Sequence, residues 1–133
     1  MSDYIQLIYA SRPFGFDDAM LNGILMEARR NNPRDDITGA LICRHDLYLQ
    51  LLEGPKDAVE AAFERIARDR RHLEVRQCFT SPMAERLFPD WAMRDDPVQS
   101  WMWTPQEVAE GAIEKASHLD LLRVFARLAA ETA

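Results

Sequence analysis

The chain has 133 residues, which suits one domain with a single hydrophobic core. Its 47% hydrophobic and 29% charged residues are typical of a globular protein, and the net charge of −6 argues against a dedicated nucleic-acid surface. No run approaches the roughly 20 apolar residues of a membrane span, and the acidic start, MSDYIQLIYASR, lacks the features of a secretory signal. Cys43 and Cys78 have no CxxC or metal-ligand spacing, so we expect reduced, packed thiols in a cytoplasmic protein.

The first part of the chain predicts a strand, a helix and a β-hairpin. Apolar and polar residues alternate over 4–11, as is typical of a strand. The helix that follows is predicted to end at Asn32, because Pro33 disfavours helical geometry in the residue before it. Two apolar runs, 37–43 and 47–53, then predict two strands joined by a tight turn.

The second part of the chain predicts another helix, two strands and two terminal helices. Pro55 follows a glycine and suits the first position of a helix. Strands are predicted over 73–79 and, more briefly, over 90–94. Two amphipathic helices are expected beyond them, at about 105–116 and 119–130.

The resulting order, β-α-β-β-α-β-β, predicts the fold. A split βαβ unit repeated twice is typical of an α+β, ferredoxin-like protein, here with a five-stranded mixed sheet and two helices on one face. The central strands are apolar on both sides, so the two C-terminal helices are expected to cover the other face. We therefore expect one domain over 1–96 and a linker with a C-terminal helical extension over 97–133.

One amide interrupts the apolar third strand, LYLQLLEGP. Leaving Gln50 unpaired in a core would cost about 1–3 kcal/mol, so either a side chain or a ligand must satisfy it. The first and third strands are neighbours in this fold, which makes Tyr9 a predicted cross-strand partner. That hydrogen bond alone would use only part of the amide. The pair Asn31 and Asn32 either caps the first helix or contacts the same ligand.

Five separated motifs carry a resemblance to a known family. They are LIYASR, ARRNNPRDDITGALIC, YLQLLEGP, RIARDRRH and RLFPDWAM, in order from about residue 4 to residue 94. Together they resemble the BLUF domains, the blue-light sensors using FAD. The resemblance implies FAD held between the two helices of a ferredoxin-like fold, with FMN or riboflavin as substitutes.

The resemblance also implies roles for individual residues. Tyr9 resembles the family's photoactive tyrosine and Gln50 its switching glutamine. Asn32 resembles the asparagine that hydrogen-bonds the N3/O4 edge of the flavin, and Asn31 the polar residue beside it. Further implied contacts to the cofactor are Ile24, Leu41, Ile66, Arg71, His72 and Met93. Trp91 and Met93, which strand alternation places on the helix-covered face of strand five, resemble the two family residues that exchange in and out of the pocket, and we expect them to carry the signal.

The function implied is a photosensor that binds FAD non-covalently and rearranges its Tyr–Gln–flavin hydrogen bonds in light. No catalytic or DNA-binding motif follows, so the resemblance implies a stand-alone receptor that is not an enzyme. Such a receptor would act on a separate downstream protein, and we expect it to form a homo-oligomer, a dimer or larger.

Two alternatives stay open at this point. One is an acylphosphatase-like hydrolase on the same fold, although SRPFGF, with Arg12 and a single Gly15, is a poor phosphate cradle. His45, His72 and His118 have no metal-ligand spacing, so no metal site is predicted. The other alternative is a flavin-free regulatory interaction module. The colour of the purified protein distinguishes both from a flavoprotein.

Overall fold

The computed structural model describes residues 3–13, 18–69, 71–97 and 102–131. Five strands and five helices follow one another in these residues. They are β1 (Tyr4–Pro13), α1 (Asp18–Asp35), β2 (Thr38–Arg44), β3 (Leu47–Pro55), α2 (Lys56–Ala67), β4 (His72–Pro82), β5 (Arg94–Pro97), α3 (Pro105–Ala109), α4 (Ala112–Lys115) and α5 (His118–Ala130).

The strands form one sheet in the order β4-β1-β3-β2-β5. The first four strands by number pair antiparallel, and the short β5 runs parallel to β2 at the edge. The α+β class predicted from the sequence is confirmed. In the centre of the sheet Tyr9 lies opposite Gln50, and Gln50 lies opposite Leu41 on its other side. Because directly paired residues share a face, these three side chains point to the same side of the sheet.

Each face of the sheet carries its own apolar core. On one face, α1 and α2 cover a cluster that includes Leu7, Tyr9 and Leu52. On the other face, residues of α4 and α5 pack with the alternate strand residues, such as Ile8 and Leu51. The period-two pattern of β1 and β3 thus supplies both cores. Cys43 is buried and Cys78 half-buried, and both are free thiols.

The first helix is longer than the sequence predicts. We expected it to end at Asn32, but α1 continues through Pro33 to Asp35. The end of the helix is held by tertiary contacts: the Asn32 side chain donates to the carbonyl oxygen of Ala92 at 2.7 Å, and the Asn32 carbonyl accepts from Ile37. These contacts hold Asn32 in the helix despite the steric preference that a following proline imposes.

The fifth strand and the terminal helices also differ from expectation. The strand predicted over 90–94 is wrong, since β5 covers Arg94–Pro97 and Trp91 to Met93 form an irregular segment before it. The carbonyl groups of that segment bond to α1 side chains and to Gly39 instead of to a ladder. The helix predicted over 105–116 is split, because Gly111 adopts φ 93° and separates α3 from α4.

The expected domain boundary lies within a strand of the sheet. The division between residues 96 and 97 falls inside β5, so the two predicted parts share a strand of one sheet. Residues 98–101 of the predicted linker lie outside the described part of the chain.

Candidate functional site

A cavity of about 140 Å³ lies between α1, α2 and the central strands. Its walls combine apolar side chains from the two helices with amide, imidazole and guanidinium groups. The lining residues are Ile24, Glu27, Ala28, Asn31, Asn32, Gln50, Leu52, Ala62, Arg65, Ile66, Asp69, Arg71 and His72. Apolar side chains combined with a few polar groups are the usual lining of a small-molecule site.

Gln50 forms a buried hydrogen-bond chain at the inner wall of this cavity. The Tyr9 hydroxyl donates to Gln50 Oε1, and Gln50 Nε2 donates to the Met93 sulfur at 3.1 Å. All three side chains are at most 3% exposed. Burial also raises the pKa of Tyr9 well above its ordinary 10.0, so the phenol stays protonated. Gln50 therefore accepts a hydrogen bond from the Tyr9 phenol on one side and donates one to the Met93 sulfur on the other.

Asn32 ties the cavity to the irregular segment before β5. Its Nδ2 bonds to Ala92, as described above, and Arg29 Nε donates to the Met93 carbonyl oxygen at 3.1 Å. The Asn32 side chain thus donates one hydrogen bond to the backbone through Nδ2, and its Oδ1 is a further acceptor. Asn31 beside it lines the cavity as well, and its side chain makes no hydrogen bond to any described residue.

His72 lies at the start of β4 and is buried against the two core tyrosines. Its ring centroid is 5.9 Å from that of Tyr9 and 5.0 Å from that of Tyr48. His72 Nδ1 and Ser11 Oγ share a hydrogen bond of 2.8 Å. Burial lowers the pKa of His72 from 6.5 to about 4, Arg71 adds to the effect, and Asp69 opposes it. The imidazole is therefore neutral at physiological pH, its Nδ1 is engaged by Ser11, and His72 lines the cavity.

Arg71 extends from the loop after α2 toward α1 at the cavity wall. Its Nη2 bonds to Glu27 at 2.7 Å, and its Nε lies 3.0 Å from both carboxylate oxygens of Asp69. These hydrogen bonds raise the pKa of Arg71 further and lower that of Asp69. Arg71 therefore brings a fixed positive charge to the cavity, already shared with two carboxylates.

The structure brings seven of the predicted residues to the cavity wall, whereas Tyr9, Leu41, Trp91 and Met93 do not line it. The cavity wall contains Ile24, Asn31, Asn32, Gln50, Ile66, Arg71 and His72. Leu41 is fully buried in the sheet beside Gln50 and does not line the cavity. Trp91 is 45% exposed and Met93 is 1% exposed, so the expectation that they share the helix-covered face of a strand is wrong. Their irregular backbone breaks the alternation on which it depended.

The sequence reasoning did not single out three further residues, of which two belong to the site and the third lies outside it. Ser11 lies two residues after Tyr9 on β1, so strand alternation already predicts that the two side chains share a face. Asp69 was visible as the acidic residue of the RDRRH run, where it neutralises Arg71. Glu53, three residues after Gln50, is buried without lining the cavity. The loop 14–17, on which the hydrolase alternative depended, lies outside the described residues.

The chain is similar in sequence to a known protein family and to several of its members. The family model for sensors of blue light using FAD matches residues 4–94. The chain is 40% identical over 85 residues to the photoactivated adenylate cyclase subunit beta of Euglena gracilis, a stretch that covers 63% of this chain and 10% of that protein. It thus spans about a tenth of the curated relatives that it matches first.

Two solved structures match nearly the whole fold. The dark-state structure of the BLUF protein BlrB has a TM-score of 0.81 at 28% identity and covers 98% of both chains. The ground-state structure of BlsA has a TM-score of 0.78 at 26% identity, covering 95% of this chain and 87% of the other.

The fold defines a small α+β protein with a candidate ligand site, the cavity between the two helices on one face of its sheet. With the family match over residues 4–94, the chain belongs to the BLUF family, the sensors of blue light using FAD. Among the residues that the structure describes, none of the helices has both the length and the apolar character to cross a membrane.

Proposed function

We propose that this chain is a blue-light photoreceptor that binds FAD between α1 and α2 and signals by rearranging hydrogen bonds at Gln50. The observation that supports this most directly is the buried chain from the Tyr9 hydroxyl through Gln50 to the Met93 sulfur, at the wall of the cavity. It combines a proton-bearing phenol with an amide that can both accept and donate.

The residues present fit a flavin by their chemistry. Ile24 and Ile66 offer apolar sides from the two helices, as a flat ring requires. The Oδ1 of Asn32 suits the N3–H donor of the ring, and Asn31 offers a second amide beside it. Arg71 and the neutral His72 supply donors for a ring carbonyl. When bound, FAD supplies the absorption of blue light and an acceptor for one electron.

Tyr9 is proposed to release a proton and an electron together. Its hydroxyl already donates to Gln50 Oε1, so the proton has a path when the phenol is oxidised. Without oxidation the buried phenol keeps its proton, because its pKa is raised. In the dark, the sheet therefore holds the Tyr9 hydroxyl in its hydrogen bond to Gln50 and keeps it protonated. The proton is lost only when light excites the flavin and Tyr9 is oxidised.

A change at Gln50 is proposed to pass to Met93. In the described arrangement Nε2 donates to the Met93 sulfur. If the amide rotates, its oxygen faces that sulfur, and two acceptors meet where a donor and an acceptor met before. A tautomer of the amide would instead alter the proton that reaches the sulfur. Either state gives Met93 a different contact in dark and light, which a switch requires.

The proposed output leaves through the segment after Met93. Arg94 follows directly, and its Nη1 donates to the carbonyl oxygen of Leu128 in the last turn of α5 at 3.1 Å. A shift of Met93 therefore reaches the terminal helix within one residue. We propose that α5 and its neighbours form the surface through which the receptor meets a second copy or a downstream protein.

The test is optical. The purified protein should be yellow, release FAD on heating, and show a small reversible red shift under blue light. Tyr9→Phe should bind FAD as the wild type does and lose the red shift, because the ring packing survives and the removable proton does not. Tyr4→Phe, on the same strand but hydrogen-bonded to Asp36 outside the cavity, is the matched control and should retain the shift.

Two results would contradict the proposal. A colourless protein that yields no flavin on heating would exclude the flavoprotein function. A full red shift in Tyr9→Phe would show that Tyr9 is not the photoactive donor.

A further inference from the structure

Glu53 is the only buried acidic residue among those whose burial the structure describes, and it is 0% exposed. Burying an ionised carboxylate costs several kcal/mol unless hydrogen bonds replace its water. Here backbone N–H groups replace it. Leu87 N lies 2.8 and 3.0 Å from the two carboxylate oxygens, and Phe88 N lies 3.0 Å from one of them. Glu53 therefore clamps the start of a turn that comes from a distant part of the chain.

A second side chain holds the same turn from outside. Arg86 donates to Thr38 Oγ1 and to the Asp36 carbonyl oxygen, each at 2.9 Å. Burial raises the pKa of Glu53 to about 7, while the N–H groups of Leu87 and Phe88, together with Arg86, pull in the opposite direction. The turn is thus fixed by one buried carboxyl group and one half-buried guanidinium group, and none of these contacts involves the cavity.

The clamped turn leads directly to the residue that contacts Gln50. The Phe88 carbonyl accepts from Trp91 N at 3.3 Å, and the Trp91 carbonyl accepts from Gly39 N at 3.1 Å. A side chain at Gly39 would collide with the carbonyl oxygen of Leu51 on the neighbouring strand, so only glycine fits at this position of β2. Two residues later comes Met93, whose sulfur accepts from Gln50.

We propose that Glu53 is a positioning residue for the photoreaction. By clamping Leu87 and Phe88, it fixes the beginning of the segment 88–93 and thereby the place of the Met93 sulfur at Gln50. Glu53 lies on the same strand as Gln50, so one strand holds both the switching amide and the anchor of its acceptor. This inference rests on the proposed photoreceptor function.

Glu53→Gln is the variant that tests the clamp. Glutamine has nearly the same shape, but it presents one acceptor oxygen and an NH₂ group to donors that converge on two oxygens. The turn should loosen, and the amide protons of Leu87 and Phe88 should exchange about tenfold faster or more, as expected for losing a hydrogen bond to a charged group. Glu60→Gln, at an exposed position of α2, controls for the loss of a carboxylate.

The photocycle supplies the readout that a purely structural role would leave unchanged. In FAD-loaded protein, Glu53→Gln should keep the dark spectrum and change the rate of dark recovery by about threefold or more, while Glu60→Gln recovers as the wild type does. Combined with Met93→Leu, which removes the sulfur acceptor, the Glu53 substitution should have no additional effect on recovery. Such non-additivity identifies Met93 as the group that Glu53 positions.

Several results would overturn the inference. Unchanged exchange at Leu87 and Phe88, or faster exchange with unchanged recovery, would leave Glu53 without a positioning role, and so would additive effects with Met93→Leu. If Glu53→Gln does not fold, Arg86→Gln loosens the same turn from its solvent side and must change recovery in the same way. A wild-type chain without a red shift overturns the photoreceptor function and this inference together, whereas a photoactive wild type beside an unaffected Glu53→Gln overturns the inference alone.

Discussion

Replacing His72 by glutamine should make the stability of the protein less sensitive to acid. His72 has a pKa of about 4 in the folded chain and an ordinary value of 6.5, because burial disfavours the imidazolium. Between these two values the unfolded chain binds a proton that the folded chain does not. Stability from His72 is therefore complete above pH 6.5 and decreases as the pH falls toward 4. Glutamine can still hydrogen-bond Ser11, but its side chain does not bind a proton in this pH range.

The size of the effect follows from the two pKa values. On lowering the pH from about 7.5 to about 5.5, the free energy of unfolding should decrease by about 1.3 kcal/mol more in the wild type than in His72→Gln. Glu53 acts in the opposite direction, since its pKa is raised from 4.5 to about 7 and the folded chain binds its proton more readily. Because both proteins contain Glu53, its contribution cancels in the comparison.

The assay is urea unfolding of both proteins, without added flavin, followed by tryptophan fluorescence at the two pH values. The lower pH stays above the isoelectric point of about 5.0, which keeps the chain anionic. His45→Gln, in the exposed hairpin turn, controls for the loss of a histidine. If wild type and His72→Gln lose the same stability on acidification, His72 is not held neutral by burial and the account of the cavity wall is wrong.

Three further outcomes are expected. Gln50→Leu should fold and bind FAD yet show no red shift, since leucine fills similar volume without hydrogen bonds; a persisting shift would exclude Gln50 as the switch. Its free energy of unfolding should fall by about 1–3 kcal/mol, because the buried Tyr9 hydroxyl loses its acceptor. Asn32→Ala should weaken FAD binding and loosen the Ala92 contact, and an unchanged affinity by fluorescence titration would reduce Asn32 to a structural role. Hydrogen exchange in dark and light should differ over 94–97 and 102–122, and identical exchange with an intact red shift would exclude this route for the signal.

Strand alternation predicted the inner wall of the site well. A strict period of two in β1 and β3 decides which side chains share a face, so placing Tyr9 beside Gln50 needed only the strand order. The same argument placed the second core on the opposite face, where α4 and α5 pack. Periodicity is reliable here because both strands are central and buried on both sides.

Contacts from irregular backbone could not be predicted in this way. Met93 was expected on a strand together with Trp91, but the carbonyl groups from 91 to 93 bond to Gly39 and to side chains of α1. No local pattern records such distant partners. The buried Glu53 was missed for the same reason, since its partners Leu87 and Phe88 are more than thirty residues away in the chain.

The ion pairs beside the cavity have a consequence for how fast a ligand enters and leaves. Arg71–Glu27 at 2.7 Å and Arg65–Asp35 at 3.6 Å each join α1 to α2 or to the loop after it, and all but Asp35 line the cavity. Partly exposed pairs of this kind contribute about 0–1 kcal/mol and are screened by salt. A ring passing between the helices must part them for the duration of the passage, and they can close again behind it. We therefore expect salt to accelerate both the association and the dissociation of a ligand that enters between the two helices.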